Sequence, residues 1–227
     1  MGGKLSIGDA LREVAANYWR HARVLLPIGF VVALLAALIV EVGAGLWGTI
    51  VFLVLTPALW TFYEGVVVNL VRARREERPV PPVRDLLQAT WAVAPPLIGV
   101  GLLYSVGTTV GIALLVIPGL ILVTLWAVVV PAVVIEGCEV VAAFRRSQAL
   151  TRESEWRVFV VILVTVVIDF GPVFFFRDFA DASLPLTVLI GTVLAPIEGL
   201  VAAALYYRLL AIERAAPVLP PAPAPAP

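Results

Sequence analysis

Long apolar runs without charge alternate with short charged segments along this chain. No Asp, Glu, Lys or Arg occurs from Val24 to Val40, from Val42 to Tyr63, or from Leu86 to Ile135. A helix needs about 20 apolar residues to cross a bilayer, so the longest run has room for two crossings. The pattern predicts an all-α polytopic membrane protein with six transmembrane helices. The predicted spans are 24–40, 43–71, 93–117, 119–136, 158–176 and 182–207.

Amphipathic segments precede each pair of spans. Residues 6–21, 79–91 and 138–152 place apolar side chains on one helical face and polar ones elsewhere. We expect three helical hairpins, each preceded by a cytoplasmic surface helix, within one transmembrane domain of residues 1–214. This arrangement amounts to a weak threefold repeat of parallel units. Residues 215–227 are expected to form a disordered Ala/Pro tail.

Proline and glycine mark the turn inside the longest run. Pro118 disfavours a helical residue before it and Gly119 permits a turn. The pair therefore predicts the break between the third and fourth spans.

Composition supports a lipid environment. The chain is 61% hydrophobic and 14% charged, whereas soluble domains are about 45–50% apolar and about 25% charged. The net charge of zero argues against nucleic acid as a partner. One cysteine, Cys138, and one histidine, His21, exclude a disulfide within the chain and a Cys/His metal cluster. We expect neither a cofactor nor a metal.

The basic residues predict the orientation. With six spans, all of the 16 lysines and arginines except Arg177 lie on one side of the membrane. The positive-inside rule places that side, and both termini, in the cytoplasm. The expected location is the cytoplasmic (inner) cell membrane.

Three carboxylates lie inside predicted spans and are candidates for an intramembrane polar site. Asp169 and Glu198 fall near mid-depth on two helices joined by a short loop, where they could share a proton if they meet. Protonated acids that merely hydrogen-bond to a neighbouring helix are the alternative. Glu64 lies about two turns from Arg72 and is expected to reach the polar headgroups.

Small residues and arginines supply two further sets of candidates. A small-xxx-small ladder in the last span and a GxxxG pair in the third permit close helix packing, either within the chain or in a homo-oligomer. These residues are Gly107, Gly111, Gly191, Ala195, Gly199 and Ala203. Arginine clusters at the span ends are candidate contacts for anionic lipids. They comprise Arg72, Arg74, Arg75, Arg145 and Arg146.

The central stretch resembles a known family, the membrane domain found beside glycerophosphodiester phosphodiesterases and alone in many bacterial membrane proteins. The likeness extends over about residues 6–214 and rests on short motifs. These are Ile7–Leu11 with Trp19, Pro118-Gly119, Pro131, Glu136-Gly137, Ala143–Ser147, Leu150-Thr151, Trp156-Arg157 and Pro196 through Tyr206-Tyr207 to Glu213. The family tends to have an acid where this chain has Arg208. The resemblance implies six spans in the cytoplasmic membrane and no catalytic residues, because the phosphodiesterase is a separate domain.

Three functions remain open from the sequence. A non-catalytic membrane protein that binds lipids, or other membrane or cytoplasmic proteins, is the leading prediction. A small proton- or ion-coupled transporter that uses the intramembrane acids is the alternative. An intramembrane enzyme is the third, although motifs of serine hydrolases, zinc proteases and nucleotide-binding proteins are absent from the sequence.

Overall fold

A computed structural model describes residues 7–42, 45–180 and 184–215. All regular structure within these ranges is α-helical, which agrees with the predicted fold class. The helices are α1 (Ile7–Val42), α2 (Gly45–Arg75), α3 (Val83–Trp91), α4 (Ala94–Leu114), α5 (Val116–Leu125), α6 (Val129–Glu136), α7 (Val140–Thr151), α8 (Glu155–Ala180) and α9 (Leu184–Ala215). The Ala/Pro tail beyond Ala215 lies outside the described residues.

Among the described residues, five helical stretches are long and apolar enough to cross a membrane. They are residues 8–41, 45–75, 94–114, 117–136 and 184–215. Their number and hydropathy fit a multi-pass membrane protein. The fifth predicted span, 158–176, lies within α8, which has 26 residues and is not among those five stretches.

The first predicted surface helix is not a separate element. α1 continues for 36 residues through Pro27, so residues 6–21 do not form a helix distinct from the span that follows. Glu13 explains why the beginning of α1 packs against the bundle: its carboxylate pairs with Arg75 on α2 and with Arg208 on α9. The threefold repeat is therefore imperfect, because only α3 and α7 are short helices before a span.

The break between the third and fourth spans comes three residues earlier than predicted. Leu115 has extended dihedral angles, and Pro118 and Gly119 lie inside the first turns of α5. Proline is tolerated there because the first N–H groups of a helix have no partner within the helix. Gly119 instead packs against α4, where a Cβ would lie about 3 Å or less from the backbone of Ile112.

The fourth span itself is interrupted, which the sequence analysis did not predict. α5 ends at Leu125 and α6 begins at Val129. Pro131 accounts for this break, because its ring conflicts with a helical carbonyl four residues earlier, at Ala127. Ser147 of α7 satisfies the freed backbone: its hydroxyl donates to the Leu125 carbonyl at 2.8 Å and accepts from the Val128 N–H at 3.2 Å.

Contacts between the helices gather most of the charge at one end of the bundle. Glu13 joins the beginning of α1 to the ends of α2 and α9. Arg146 of α7 bonds to Glu136 at the end of α6 and to Glu213 near the end of α9. We call this end of the bundle, defined by these four residues together with Arg75 and Arg208, the charged end.

Candidate functional site

A cavity among α2, α4, α5, α8 and α9 contains all three intramembrane acids. It has two lobes of about 310 and 330 Å³. The lobes share a wall that includes Glu64, Tyr104 and Glu198, and Asp169 lines the larger lobe. We call this space the acidic cavity.

Asp169 and Glu198, whose contact the sequence analysis left open, line the same lobe of the cavity. Both side chains line the larger lobe, and their carboxyl groups are close enough for their charges to interact. Two like charges at close range repel each other, so a single proton on the pair removes that repulsion. The pair is therefore able to hold and release a proton within the cavity.

Glu64 belongs to the predicted set of candidate acids, and it lines both lobes of the cavity together with Glu198. Its side chain therefore faces the cavity and not the headgroups, which were the other expectation for it. Tyr104 of α4 lies beside both acids. This placement has a simple geometric cause: α2 turns Glu64 toward α4 and α9, whereas sequence distance from Arg72 gives only its depth.

The depth of the acids follows from helical rise. At 1.5 Å per residue, Glu198 lies about 15 Å along α9 from Arg208, and Glu64 about 17 Å along α2 from Arg75. Asp169 lies about 20 Å along α8 from Trp156. The hydrocarbon core of a bilayer is about 30 Å thick, so all three acids are near its middle if the charged end marks one surface.

Polar atoms without partners cluster around the same cavity. Among the described residues, the buried side-chain atoms that lack a hydrogen bond are Thr56 Oγ1, Trp126 Nε1 and Asp169 Oδ1. Thr56 lines one lobe, and Trp126 and Asp169 line the other. Buried polar groups normally have partners, so these atoms indicate that the cavity accommodates polar guests such as water or a ligand.

The cavity is open rather than sealed. Glu198 is exposed although helices surround it. Its accessible surface faces the cavity, so water-sized molecules can reach the carboxyl. Apolar and aromatic side chains, including Trp126 and Tyr104, form the rest of the lining.

The three acids are not arranged to coordinate one metal ion. In the part of the chain that the structure describes, no three His, Cys, Asp or Glu side chains lie close enough together to do so. The carboxyl groups instead line different parts of the cavity wall. A cavity of this kind suits a ligand with several atoms.

The Arg146 cluster ties α6, α7 and α9 together at the charged end. Arg146 donates to both Glu136 oxygens at 2.9 Å and to the two Glu213 oxygens at 2.6 and 2.8 Å. Tyr206 donates its hydroxyl to Glu136 at 2.7 Å. The hydrogen bond from Arg146 lowers the pKa of Glu213 below its usual value.

Of the five arginines predicted to contact lipid, three are engaged within the protein. Arg72 bonds to Glu76 and to the Val134 carbonyl at the end of α6. Arg75 pairs with Glu13 and lies over the Tyr207 ring, and Arg146 belongs to the cluster above. Arg74 and Arg145 have no partner among the described residues, so a lipid role for them stays a prediction.

The small residues pack inside the chain. Gly191 faces Ala33 of α1, and Gly199 faces Val67 of α2, where an added Cβ would lie 3.2 and 2.8 Å from the nearest carbon. Gly107 and Gly111 face Trp126 and Gly119, respectively. Ala195 and Ala203 are buried. These contacts give the small residues an internal role without a second copy of the chain.

Sequence reasoning missed three residues of the site region. They are Tyr104, Trp126 and Ser147. Each lies in a segment whose pattern is typical of an ordinary apolar or amphipathic helix. Tyr104 could have been recognised from the sequence, because its polar hydroxyl falls near the centre of the third predicted span. His21, the single histidine of the chain, is buried, and its Nδ1 bonds to the Asn17 carbonyl at 2.9 Å.

Comparison of the chain with protein-family models, with curated proteins and with solved structures gives no match. The resemblance to the phosphodiesterase-associated membrane domain is therefore left as an expectation.

Proposed function

We propose that this chain is a six-span membrane protein that binds a small organic cation in the acidic cavity and carries it across the membrane in exchange for protons. The observation that carries the proposal is the convergence of Glu64, Asp169 and Glu198 on one open cavity. Charged residues within a membrane are costly, and they mark ion or substrate pathways more often than packing sites. α8, the fifth of the proposed spans in chain order, completes the set of six and carries Asp169.

The lining favours an organic cation over a bare metal ion. Carboxyl groups attract positive charge, and the aromatic rings of Tyr104 and Trp126 suit an ammonium group or its alkyl substituents. Lobes of about 310 and 330 Å³ fall in the size range of small-molecule sites. The Asp169–Glu198 pair can release its proton when a cation arrives, which couples the two fluxes.

The interrupted fourth span also supports transport. Discontinuous helices beside a mid-membrane site are common in secondary transporters, because freed backbone groups and short helices permit rearrangement. Here the break at residues 126–128 places Trp126 in the cavity wall. A shift of α5 relative to α6 would change the shape of the cavity.

Orientation and family membership are proposed together with the function. The charged end faces the cytoplasm of the inner membrane, and both termini lie there, in accordance with the positive-inside rule. The resemblance to the phosphodiesterase-associated domain gives the same six-span arrangement. A reporter fused after Ala182 tests this: it should be active only outside the cytoplasm.

The transport test uses purified protein in vesicles that contain a pH-sensitive dye. A panel of amines, from methylammonium and tetraethylammonium to spermidine, is added outside, and proton efflux is recorded. At least one amine should elicit saturable efflux. Glu198→Gln and Asp169→Asn should each reduce it at least about tenfold, because each removes a cavity carboxyl.

Glu153→Gln is the matched control, because it removes an exposed acid outside the cavity. It should leave efflux unchanged. If no amine elicits efflux, or if the cavity variants transport as well as the control, the proposal is wrong.

An intramembrane hydrolase is the second candidate, and the presence of Asp169 and Glu198 in one lobe of an open cavity supports it. A carboxyl pair that shares one proton can activate water as general base and acid. Incubation with radiolabelled membrane extracts tests it: product formation that depends on Asp169 would favour the hydrolase. Saturable amine flux without chemical change would favour the transporter.

A further inference from the structure

A second cavity, remote from the acidic one, lies at the charged end between α1 and α2. It has a volume of about 340 Å³. Its lining combines side chains from the first turns of α1 and the last turns of α2. They are Glu13, Ala16, Asn17, Arg20, Val71, Arg74 and Arg75. We call this space the arginine pocket.

The arginine pocket has excess positive charge. Three arginines and one glutamate line it. The glutamate, Glu13, already pairs with Arg75 and with Arg208 behind it. Within the described chain Arg20 and Arg74 have no partner, and neither does the side-chain amide of Asn17. The pocket therefore offers several N–H donors to an anion.

The geometry of the donors favours a phosphate group. Guanidinium groups present planar, paired N–H donors that match two phosphate oxygens, and such charge-assisted hydrogen bonds are about twice as strong as neutral ones. Arg75 is held in place by Glu13 and by the Tyr207 ring, whose centroid lies 5.1 Å from its guanidinium carbon. One donor is thus pre-organised, and Arg20 and Arg74 are available to close around the ligand.

The position of the pocket relates it to the membrane surface. Trp19, next to Arg20, is 78% exposed. Exposed tryptophans concentrate at the level of the lipid headgroups. Trp91 and Trp156 are exposed to a similar degree at 71% and 73%, and each adjoins the beginning of a span. A phosphate at this height belongs either to a phospholipid or to a soluble phosphorylated compound.

We infer that the arginine pocket is a phosphate-binding site, which Arg20, Arg74 and Asn17 complete and Arg75 supports. The inference does not depend on the proposed transport activity. The pocket shares Arg74 and Arg75 with the sequence-based set of lipid contacts and adds Arg20 to them.

The test measures binding by native mass spectrometry of the full chain in detergent. The probes are dioctanoyl phosphatidylglycerol, dioctanoyl phosphatidylcholine, glycerol phosphate and inorganic phosphate. The paired variant Arg20→Gln with Arg74→Gln is compared with Arg84→Gln with Arg152→Gln. Both double variants remove two exposed positive charges that have no partner among the described residues.

Binding of at least one phosphate probe should weaken about tenfold or more in the Arg20/Arg74 variant and less than about twofold in the Arg84/Arg152 variant. A loss seen only with phosphatidylglycerol identifies the source as an anionic lipid, and a loss that includes glycerol phosphate identifies a soluble phosphate compound. Equal losses of probe binding in both double variants would show that general surface charge, and not the arginine pocket, accounts for the binding. That result, or no loss in either, overturns the inference.

Neither Arg20 nor Arg74 stabilises another element through an ion pair, so the variants should fold. Thermal unfolding in detergent, with a midpoint within about 2 °C of wild type, checks this. Arg75→Gln is a third variant that should weaken phosphate binding and also lower the unfolding midpoint, because it breaks the contact with Glu13.

Discussion

The two halves of the bundle differ in how tightly they pack. The charged half comprises residues 7–25, 61–75, 128–158 and 195–215, and the outer half comprises the remaining parts of the spans. In the charged half, Val66, Val67 and Val68 of α2 are inaccessible to solvent, as are Leu205 and Tyr206 of α9. In the outer half, every residue of α2 from Leu46 to Leu55 is exposed except Gly48.

This difference indicates that the charged half is the more rigid part of the fold and that the outer half is the more mobile part. One large core and the ion pairs of Glu13 and Arg146 fix the charged half. Among the described residues, the outer half contributes Val32, Leu97, Val100 and Val161 to the edge of that core and has one small separate cluster of Ala33, Ala37 and Val188. Lipid provides no hydrophobic force between helices, so the outer half relies on weak van der Waals packing. The acidic cavity lies at the boundary between the two halves. The tightly packed charged half can hold the acids in position, and the loosely packed outer half borders the opening of the cavity.

Two glycines give the largest expected contrast between the halves. A Cβ at Gly199, in the charged half, would lie 2.8 Å from the Val67 Cβ, whereas a Cβ at Gly171, in the outer half, would meet nothing within 4 Å. Gly199→Val should therefore destabilise the protein by about 3 kcal/mol through overpacking. Gly171→Val should change the stability by less than about 0.5 kcal/mol. Unfolding by SDS in mixed micelles measures both, and equal losses would show that the halves do not differ.

The Arg146 cluster should give the next largest effect. Arg146→Gln leaves Glu136 and Glu213 without their cation, with about a quarter and nearly half of their side-chain surfaces exposed, respectively. We expect a loss of about 2 kcal/mol, between the values for surface and buried pairs. Arg145→Gln, which has no partner among the described residues, is the control and should be neutral. A similar loss for both variants would contradict the assignment.

The same cluster predicts a pH dependence. Because Arg146 lowers the pKa of Glu213 below its ordinary value of about 4.5, this ion pair contributes its full stability above about pH 4.5. The contribution is lost as the pH falls through the lower pKa of the folded state. The stability difference between wild type and Arg146→Gln should therefore shrink below pH 4.5, and a difference that grows there would reverse the sign of the linkage.

The sequence predicted much of this architecture, and the failures have physical causes. The charge-free runs predicted the apolar helices, and the presence of Asp169, Glu198 and Glu64 inside spans made them candidates for one polar site. Sequence distance from Arg72 gave the depth of Glu64 and not the helix face on which it lies, so it could not decide between the cavity and the headgroups. The interruption at residues 126–128 depended on Pro131, which acts four residues upstream, and on Ser147, whose partner lies across a turn. Such tertiary compensation leaves no local pattern.

Ser147 provides the smallest and most local test, at the joint between the halves. Its hydroxyl is the side-chain partner of the Leu125 carbonyl and of the Val128 N–H, so Ser147→Ala leaves two buried backbone groups unpaired. We expect a loss of about 1 kcal/mol, at the lower end of the range, because water in the neighbouring cavity can replace part of the interaction. Thr151→Val is the control on the same helix: its hydroxyl bonds only within α7, so the joint should be unaffected. Hydrogen exchange at the amide of Val128 should accelerate in Ser147→Ala and not in Thr151→Val. Because α5 faces the cavity and α6 belongs to the rigid half, faster exchange confined to residues 126–128 would identify this joint as the point at which the outer half moves. Faster exchange throughout α6 would instead show that Ser147 stabilises the rigid half as a whole.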